Sequence, residues 1–451
     1  MCYAIPGKVE KIEKKTVIVD YFGEKRKALN ELPQISVGDY IYAQGGFVVS
    51  KISVSEAESI LAVWKETFFQ LQEVDLRISR LNLGDKNTDK NLLEILDKAS
   101  QSKELSRDEL LCLLELKDQS KLELLLKTAN FLRQKYHKNS CCVHGIIEIS
   151  NHCIRGCQYC GISYHNKELQ RYRMTKDEIL KSAQVAVQEY GFKSLVLQSG
   201  EDPGYSVDEL ADIIKEIKDK FPTLVFISFG EIGIGGLEKL YQAGARGLLM
   251  RFETSNPKIY EDVHPGQNLE SRLMHLQQAY KMGYMIITGG LIGIPGQSKE
   301  DILNDIFLAK ELHAEMFSFG PFIPHPHTPF AEIKPVQHPA LSDRPVRASR
   351  ASAQVEEAVK VLAVARIVDN TQAKILVTTA LETLSREAAK SGLLAGANSL
   401  MLNVTPLAYR PFYSIYPNRA HQSENITAQI DSAVMLLRSL GRAPTDIETI
   451  L

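Results

Sequence analysis

From residue 145 onward, runs of strand-forming apolar residues alternate with amphipathic segments, and this alternation constrains the fold more than any other feature of the chain. Eight runs have the character of buried strands: GIIEIS, SLVLQSG, LVFISFG, GLLMRFE, YMIITGG, MFSFGPF, KILVTTA and SLMLNVT. Capping boxes at Thr175-x-x-Glu178 and Ser206-x-x-Glu209 predict the starts of two intervening helices. Eight strand–helix units over roughly 265 residues predict a complete (β/α)8 barrel, for which about 250 residues are typical.

Polar residues and glycines collect where these predicted strands end, which is the edge where β/α barrels carry their active sites. They are Ser199, Gly200 and Glu201 after the second strand, Ser228 after the third, Arg251 and Glu253 after the fourth, Thr378 and Thr379 after the seventh, and Tyr409 and Arg410 beyond the eighth. The convergence predicts a small-molecule site. For Thr378 and Thr379 the alternative is ordinary strand formation, and for Tyr409 and Arg410 it is a structural ion pair.

The first predicted strand leads into NHCIRGCQYCGIS, in which Cys153, Cys157 and Cys160 have three and then two residues between them. A zinc ribbon needs two CxxC pairs, a haem attachment needs CxxCH, and a ferredoxin cluster needs four cysteines. A cubane held by three cysteines leaves one iron open, and an open metal position is where chemistry takes place. A zinc site or a chance grouping of cysteines is the alternative.

The CxxxCxxC loop resembles that of the radical S-adenosylmethionine superfamily. In that superfamily the open iron of a 4Fe–4S cluster chelates S-adenosylmethionine, and reductive cleavage gives a 5′-deoxyadenosyl radical. The resemblance implies that Cys153, Cys157 and Cys160 hold the cluster. The residues expected to bind S-adenosylmethionine are Tyr159, Ser199, Gly200, Glu201, Ser228, Arg251, Glu253 and Ile294 of the GLIGIPGQ loop. Thr378, Thr379, Tyr409 and Arg410 are the expected substrate contacts.

Ordered stretches from about 105 to 420, among them VLQSGEDP, GPFIPHPHTP and NVTPLAYRPFY, resemble the HydE-type maturases of FeFe-hydrogenase. That group is close to biotin synthase and methylornithine synthase. The resemblance implies a substrate that contains sulfur or iron with carbonyl and cyanide ligands, an electron donor such as ferredoxin or flavodoxin, and other hydrogenase maturation proteins as partners. Phe252 stands where that family commonly has a histidine. Two alternatives stay open: a small-molecule radical enzyme and a non-catalytic carrier of an iron fragment.

The first part of the chain predicts a separate small β-barrel. Its short strands are KVEKI, KTVIVDYF, KRKAL, DYIYAQ and FVVSKI, and a helix follows, opened by a capping box at Ser55-x-x-Glu58. MCYAIPGKV and SVGDYIYAQGGFVVSKIS resemble the HypC/HupF family of hydrogenase-assembly chaperones. The resemblance implies an OB-like barrel with a C-terminal helix, and an iron fragment on Cys2. Gln44 stands where that family usually has a histidine.

These patterns divide the chain into four parts. Residues 1–75 form the chaperone-like barrel, 76–104 a helical and polar linker, 105–425 the radical S-adenosylmethionine barrel, and 426–451 a C-terminal helix packed on it.

Charge and hydropathy limit the classes of partner. The net charge of −2 gives no electrostatic footprint for nucleic acid, and no apolar run is long enough to span a membrane. We therefore expect a cytoplasmic protein, where clustered cysteines serve metal chemistry rather than disulfides. Cys112 is expected to pack in a helix, and the vicinal Cys141 and Cys142 to precede the first barrel strand. His325 and His327 are expected to shape a proline-rich loop rather than to bind metal.

Overall fold

The computed structural model describes residues 3–83, 89–332 and 346–447, so that Cys2 lies outside the described residues. The strands are β1 (Gly7–Glu13), β2 (Thr16–Tyr21), β3 (Glu24–Leu29), β4 (Tyr40–Gln44), β5 (Phe47–Ile52), β6 (Ser140–Ser150), β7 (Ser194–Ser199), β8 (Leu224–Ser228), β9 (Ala245–Leu249), β10 (Met285–Thr288), β11 (Leu291–Ile292), β12 (Met316–Phe317), β13 (Gly320–Pro321), β14 (Lys374–Ile375), β15 (Ser399–Asn403) and β16 (Ala443–Pro444). The α-helices are α1 (Val54–Ile78), α2 (Lys90–Ser100), α3 (Arg107–Leu114), α4 (Gln119–His137), α5 (Lys176–Gln184), α6 (Val207–Lys220), α7 (Ile234–Gln242), α8 (Pro257–Val263), α9 (Leu269–Met282), α10 (Lys299–Glu311), α11 (Val346–Val368), α12 (Thr379–Leu384), α13 (Ala388–Leu394) and α14 (Ile426–Ser439). None of the helices described is long and apolar enough to cross a membrane.

Strands β1 to β5 form a small closed barrel in the order β1-β2-β3-β5-β4, as the sequence predicts. In β2, buried residues alternate with half-buried ones, because side chains of a strand point to opposite faces in turn. Val17, Val19 and Tyr21 of this strand reach a core that also contains Phe68 of α1. The helix therefore completes the small barrel by covering its apolar side chains.

Helix α1 begins before the predicted capping box, and the prediction at Ser55 and Glu58 is wrong. The N-cap is Ser53, whose hydroxyl accepts a hydrogen bond from the backbone N–H of Glu56 at 3.3 Å. The stretch SVSEAE contains the S-x-x-E spacing twice, so spacing alone does not choose between the two registers. The capping boxes predicted for α5 and α6 are confirmed.

The large barrel is complete, as predicted. Its eight parallel strands run in the order β14-β12-β10-β9-β8-β7-β6-β15. A parallel bridge between Leu376 and Ser399 closes the barrel, together with a hydrogen bond from the N–H of Asn398 to the carbonyl oxygen of Ile375 at 3.0 Å. The first predicted strand is longer than expected: β6 starts at Ser140, so Cys141 and Cys142 belong to the strand and do not precede it. The extension is stable because β16 pairs with these first residues.

The small barrel docks on the end of the large barrel where the parallel strands begin. Gly45, in the turn between β4 and β5, has a φ of +54°, and a Cβ there would lie 2.8 Å from Leu224 and 3.0 Å from Met285. Those two residues open β8 and β10, and both the positive φ and the close approach favour a glycine at this position. Phe47 packs against the buried apolar residues of the same end. The cysteine-rich segment leaves the opposite end of β6.

A buried carboxylate joins α1 to the large barrel. Arg133 of α4 donates hydrogen bonds to both carboxylate oxygens of Asp75, at 2.8 and 2.7 Å. Arg442, just before β16, places its Nε 3.2 Å from Asp75 Oδ1. All three side chains are at most 1% exposed. One carboxylate thus lies between two guanidinium groups that water does not reach, and it offsets one of their two positive charges.

We expect Asp75→Ala to lower the free energy of unfolding by about 3–5 kcal/mol, because it leaves two guanidinium groups buried without their carboxylate. Urea denaturation followed by circular dichroism measures the change. Glu73→Ala, on the exposed side of the same helix, is the control and should change stability by less than about 0.5 kcal/mol. Equal unfolding midpoints for the Asp75→Ala variant and the unsubstituted protein would contradict the expectation.

Candidate active site at the mouth of the large barrel

An irregular segment, residues 151–166, follows β6 and is called the cysteine loop below. Neighbouring segments hold it by backbone hydrogen bonds from Ile154 N–H to Glu201 O (3.0 Å), from Gln158 N–H to Val263 O (2.9 Å) and from Gly161 N–H to Ile415 O (2.8 Å). The acceptors follow β7, end α8 and follow β15. The positions of the cysteines are therefore set by the fold around the mouth.

Cys153, Cys157 and Cys160 are half-buried thiols. Their three Sγ atoms do not all lie within 4.8 Å of one another. Burial raises the pKa of Cys157 to about 12 and also raises the pKa values of Cys153 and Cys160. Because metal ligation requires thiolates, a bound cationic centre must displace these protons. The three thiols are therefore candidate ligands of a metal centre that binds thiolates.

Gly200, at the end of β7, brings the predicted SGE motif against the cysteine loop. A Cβ on Gly200 would lie 2.6 Å from Cys153 Cβ, so no larger residue fits. The Glu201 carboxylate forms an ion pair with Arg155 and accepts a hydrogen bond from Glu231 N–H at 3.2 Å. The segment Ser199 to Glu201 therefore lies against the cysteine loop.

A guanidinium on α9 extends this network. Arg272 Nε lies 2.8 Å from Glu231 Oε1, and its Nη2 lies 3.8 Å from Glu201 Oε1. Burial opposes ionisation of Glu231, but the Arg272 guanidinium holds its pKa below the ordinary value. Ser228, on the neighbouring strand end, accepts a hydrogen bond from Gln198 Nε2 at 3.4 Å. The rim from β7 to β9 is thus lined by charged and polar groups.

Arg251 and Glu253 form an ion pair after β9, with Arg251 Nη2 3.1 Å from Glu253 Oε2. Glu253 has a φ of +69°, which non-glycine residues rarely adopt. Hydrogen bonds from Glu253 N–H to Gly289 O (3.1 Å) and from Leu291 N–H to Glu253 O (2.8 Å) hold that conformation. Such strain persists where the surrounding structure fixes it, and it is typical of ligand-binding sites.

Tyr159 connects the cysteine loop to an apolar surface. It belongs to a cluster with Ile294 and Phe322. Its hydroxyl lies 3.2 Å from His264 Nε2. Burial lowers the pKa of His264 to about 3, with Arg272 as the next cause, so this imidazole is neutral at physiological pH. Tyr159 and Ile294 therefore belong to one hydrophobic cluster beside the cysteine loop.

The interior of the barrel contains a buried ion pair that sequence patterns did not indicate. Arg419 Nη1 lies 2.5 Å from Oε1 of Glu148, a residue of β6. Asn403 Nδ2 donates a hydrogen bond to Glu148 Oε2 at 3.0 Å. Burial raises the pKa of Glu148, and Arg419 opposes that shift. The pair is 0% and 5% exposed, which places two opposite charges deep in the fold.

The four predicted substrate residues differ in their contacts with the rest of the protein. Thr378 is the N-cap of α12 and accepts a hydrogen bond from Leu381 N–H, and Thr379 is the first residue of that helix. Tyr409 donates a hydrogen bond to Glu178 at the start of α5. Arg410 is fully buried and its Nε donates to Thr405 O at 2.7 Å. The contacts of Tyr409 and Arg410 favour structural roles.

His325 packs against the cysteine loop, in accord with a loop-shaping role. Its N–H donates to Tyr159 O at 2.9 Å, and its Nδ1 accepts from His327 N–H at 3.2 Å. Its Nε2 lies 3.4 Å from Ser414 Oγ. Both ring nitrogens of His325 thus have partners within the loop surroundings.

Three residues of the mouth were missed from the sequence. Arg155 lies between two of the cysteines, and this position in the sequence could have marked it as a residue of the site. His264 follows α8, whose last residue holds the cysteine loop, but only the three-dimensional fold brings it to Tyr159. Arg272 lies inside the amphipathic helix α9, where a charged residue carries no local mark of function.

Comparisons with known proteins agree with this geometry. Residues 147–309 match the model of the Radical SAM superfamily, and residues 1–64 match that of the HupF/HypC family. The chain is 38% identical over 351 residues to the FeFe hydrogenase maturase subunit HydE of Thermotoga maritima, covering 78% of this chain and 95% of that protein. It is 28% identical over 240 residues to 3-methylornithine synthase of Methanosarcina acetivorans, covering 53% of this chain and 68% of that protein.

Two solved structures share the fold. The crystal structure of methylornithine synthase has a TM-score of 0.66 at 24% identity and covers 78% of this chain and 97% of that one. The maturase HydG of Carboxydothermus hydrogenoformans has a TM-score of 0.64 at 19% identity and covers 84% of each chain. Because 38% identity extends over nearly the whole of HydE, the chain belongs to the HydE family of FeFe hydrogenase maturases, radical S-adenosylmethionine enzymes, and carries a HupF/HypC domain in addition.

Proposed function

We propose that this HydE-family enzyme cleaves S-adenosylmethionine at a 4Fe–4S cluster, and that the resulting radical acts on a substrate that contains sulfur or an iron carbonyl cyanide group during maturation of a hydrogenase metallocofactor. The observation that carries the proposal is the position of the three-cysteine loop beside the Arg251–Glu253 ion pair, in which Glu253 has a φ of +69°. A bound cluster would supply one electron, received from a donor such as ferredoxin or flavodoxin, for the cleavage of S-adenosylmethionine to methionine and a 5′-deoxyadenosyl radical.

The residues present fit such a cluster. Cys153, Cys157 and Cys160 supply three thiols, whose Sγ atoms do not all lie within 4.8 Å of one another. Gln267 Nε2 lies 3.6 Å from Cys157 Sγ and Arg155 N–H lies 3.5 Å from Cys153 Sγ. These donors suit thiolates, since hydrogen bonds to sulfur stabilise its negative charge.

Separate groups around the cysteines suit the separate parts of S-adenosylmethionine. The carboxylate of Glu201 suits the methionine amino group, and Arg251 suits the methionine carboxylate, because both are opposite charges in a partly buried site. The buried Oε2 atom of Glu253 has no hydrogen-bond partner within the described chain, although it is ion-paired, and it suits a ribose hydroxyl. The apolar wall of Tyr159 and Ile294 suits adenine.

The substrate would occupy the barrel interior next to this site. The buried Glu148–Arg419 pair offers both a hydrogen-bond acceptor and a cation to polar groups of a substrate. Thr378 lies at the same end of the barrel as an additional hydroxyl donor. An anionic iron carbonyl cyanide or thiolate group would be attracted to Arg419.

The HupF/HypC domain would exchange its cargo with another maturation protein rather than feed the mouth through the barrel. Buried apolar side chains fill the barrel between the docked domain and the mouth: Cys142, Ile146, Val196, Leu224, Phe226, Met285, Ile287, Met316, Leu376 and Met401. They come from β6, β7, β8, β10, β12 and β15 and from Leu376, which follows β14, and Leu249 of β9 packs against them. An iron fragment on Cys2 would therefore be transferred around the outside.

We expect Cys157→Ala to lower 5′-deoxyadenosine formation to the level of a protein-free control, because the cluster loses a ligand. The assay follows anaerobic reconstitution and reduction with dithionite. Cys112→Ala, on α3 and outside the cysteine loop, is the matched control and should keep full activity. Equal product from the Cys157→Ala variant and the unsubstituted enzyme would exclude the assigned cluster.

Arg251→Ala should weaken S-adenosylmethionine binding about 10- to 100-fold, the cost of one charge-assisted contact. The iron content per chain should not change, since Arg251 is not a cluster ligand. Equilibrium binding to the reconstituted enzyme measures the affinity, and Lys258→Ala, an exposed cation on α8, is the control. Unchanged affinity in Arg251→Ala would remove this residue from the site.

Infrared spectra of the protein, purified anaerobically from a hydrogenase-producing host, should contain carbonyl and cyanide bands. A soft thiolate suits low-valent iron, so the bands should disappear in Cys2→Ala while 5′-deoxyadenosine formation continues. Cys112→Ala should keep the bands. Bands of equal strength in Cys2→Ala would place the iron elsewhere and leave the domain as a docking module.

A further inference from the structure

Three ligating side chains meet at the end of the barrel opposite the cysteine loop. Cys142 and His144 lie on β6 and Asp446 follows β16, and their sulfur, nitrogen and oxygen atoms all lie within 4.8 Å of one another. Each residue is at most 3% exposed. A tetrahedral ion with bonds of about 2.0–2.3 Å brings its ligands to about 3.5 Å from one another. Small movements of these side chains would therefore bring the three ligand atoms to the spacing of a tetrahedral site.

The two ring nitrogens of His144 differ in their surroundings. Its Nδ1 lies 2.5 Å from Ser194 Oγ, which fixes the orientation of the ring. Its Nε2 is buried and has no hydrogen-bond partner within the described chain. Buried polar atoms normally have a partner, and a histidine held at one nitrogen with the other one free is typical of a metal ligand.

The carboxylate of Asp446 is also held in place by groups behind it. Its Oδ2 accepts hydrogen bonds from Val143 N–H at 3.0 Å and from the Thr445 hydroxyl at 2.7 Å. These contacts fix the carboxylate against β6. Such supporting hydrogen bonds are what orients the ligands of metal sites.

The three side chains line a small cavity of about 10 Å³. A cavity of that size has room for one water-sized occupant. Gly45 of the small barrel lines the same cavity, so the docked domain encloses it. Lys374 also lines the cavity, but its ammonium is paired with Glu315 at 3.0 Å. A thiolate and a carboxylate would thus leave two negative charges for a divalent cation to balance.

We propose that Cys142, His144 and Asp446 bind one divalent transition-metal ion of the Fe²⁺, Co²⁺ or Zn²⁺ class. Mixed sulfur, nitrogen and oxygen donors favour these ions over Mg²⁺ and Ca²⁺, which prefer oxygen alone. Three protein ligands leave a fourth position for water or a cargo ligand. The site is independent of the cleavage of S-adenosylmethionine, and the ion would fasten Asp446 to β6 beneath the HupF/HypC domain.

Co²⁺ is the probe, because its bond to a thiolate gives a charge-transfer absorption. The test uses the full chain with Cys153→Ala, Cys157→Ala and Cys160→Ala, which removes the cluster ligands. We expect one tightly bound Co²⁺ and a thiolate band, both displaced by Zn²⁺. Adding Cys142→Ala should abolish the band, and His144→Gln or Asp446→Asn should weaken binding at least tenfold. Cys141→Ala is the matched control: a neighbouring buried cysteine outside the group.

Failure of the three-cysteine variant to bind Co²⁺, a band of equal strength with Cys142→Ala, or equal loss with Cys141→Ala would overturn the proposal. Circular dichroism checks that each variant is folded. Anomalous diffraction from Zn²⁺-soaked crystals of the unsubstituted protein is a second measurement that needs no substitution. A peak between the three side chains supports the site, and its absence at saturating Zn²⁺ overturns it. Neither result depends on radical chemistry.

Discussion

Parallel pairing of β6 with β7 on one side and β15 on the other holds the rest of the molecule together. This strand is buried along all its residues, and its hydrogen bonds join β7 to β15 within the ring of eight strands. Its carboxyl end leads into the cysteine loop, and its first residues pair with β16 under the small barrel. Both ends of the molecule are therefore organised by one strand, whose register fixes the cysteines and the docking surface together.

At the mouth, function depends on contacts between loops that are far apart in the sequence. Glu201 joins the cysteine loop, through Arg155, to the end of β8 and to Arg272 of α9. Water is partly excluded from this network, and an unpaired charge there would cost free energy. The network avoids this cost because each charged group has a partner of opposite charge. Charges fixed in advance in this way suit the binding of a zwitterionic ligand.

The eight strands and the cysteine loop could be predicted because their signals are local: strand-forming apolar runs and a fixed spacing of cysteines. The cap at Ser53 was missed because the same spacing occurs twice within a few residues. Arg272 and Arg419 were missed because their partners come from distant strands and loops, and a charged residue on a helix or in a loop is usually solvated. Cys142 was not predicted as a ligand because Asp446, which lies close to it in space, is separated from it in the sequence by nearly the whole large barrel.

The core of the small barrel contains Ala443, which is made only after the whole large barrel. The N–H of Ala4 likewise donates to Pro444 O at 3.4 Å. During synthesis the first domain would leave the ribosome with part of its apolar surface uncovered. It would stay exposed until the strand that covers it arrives. The contact between the two barrels is therefore completed only after residues 443 and 444 have been made.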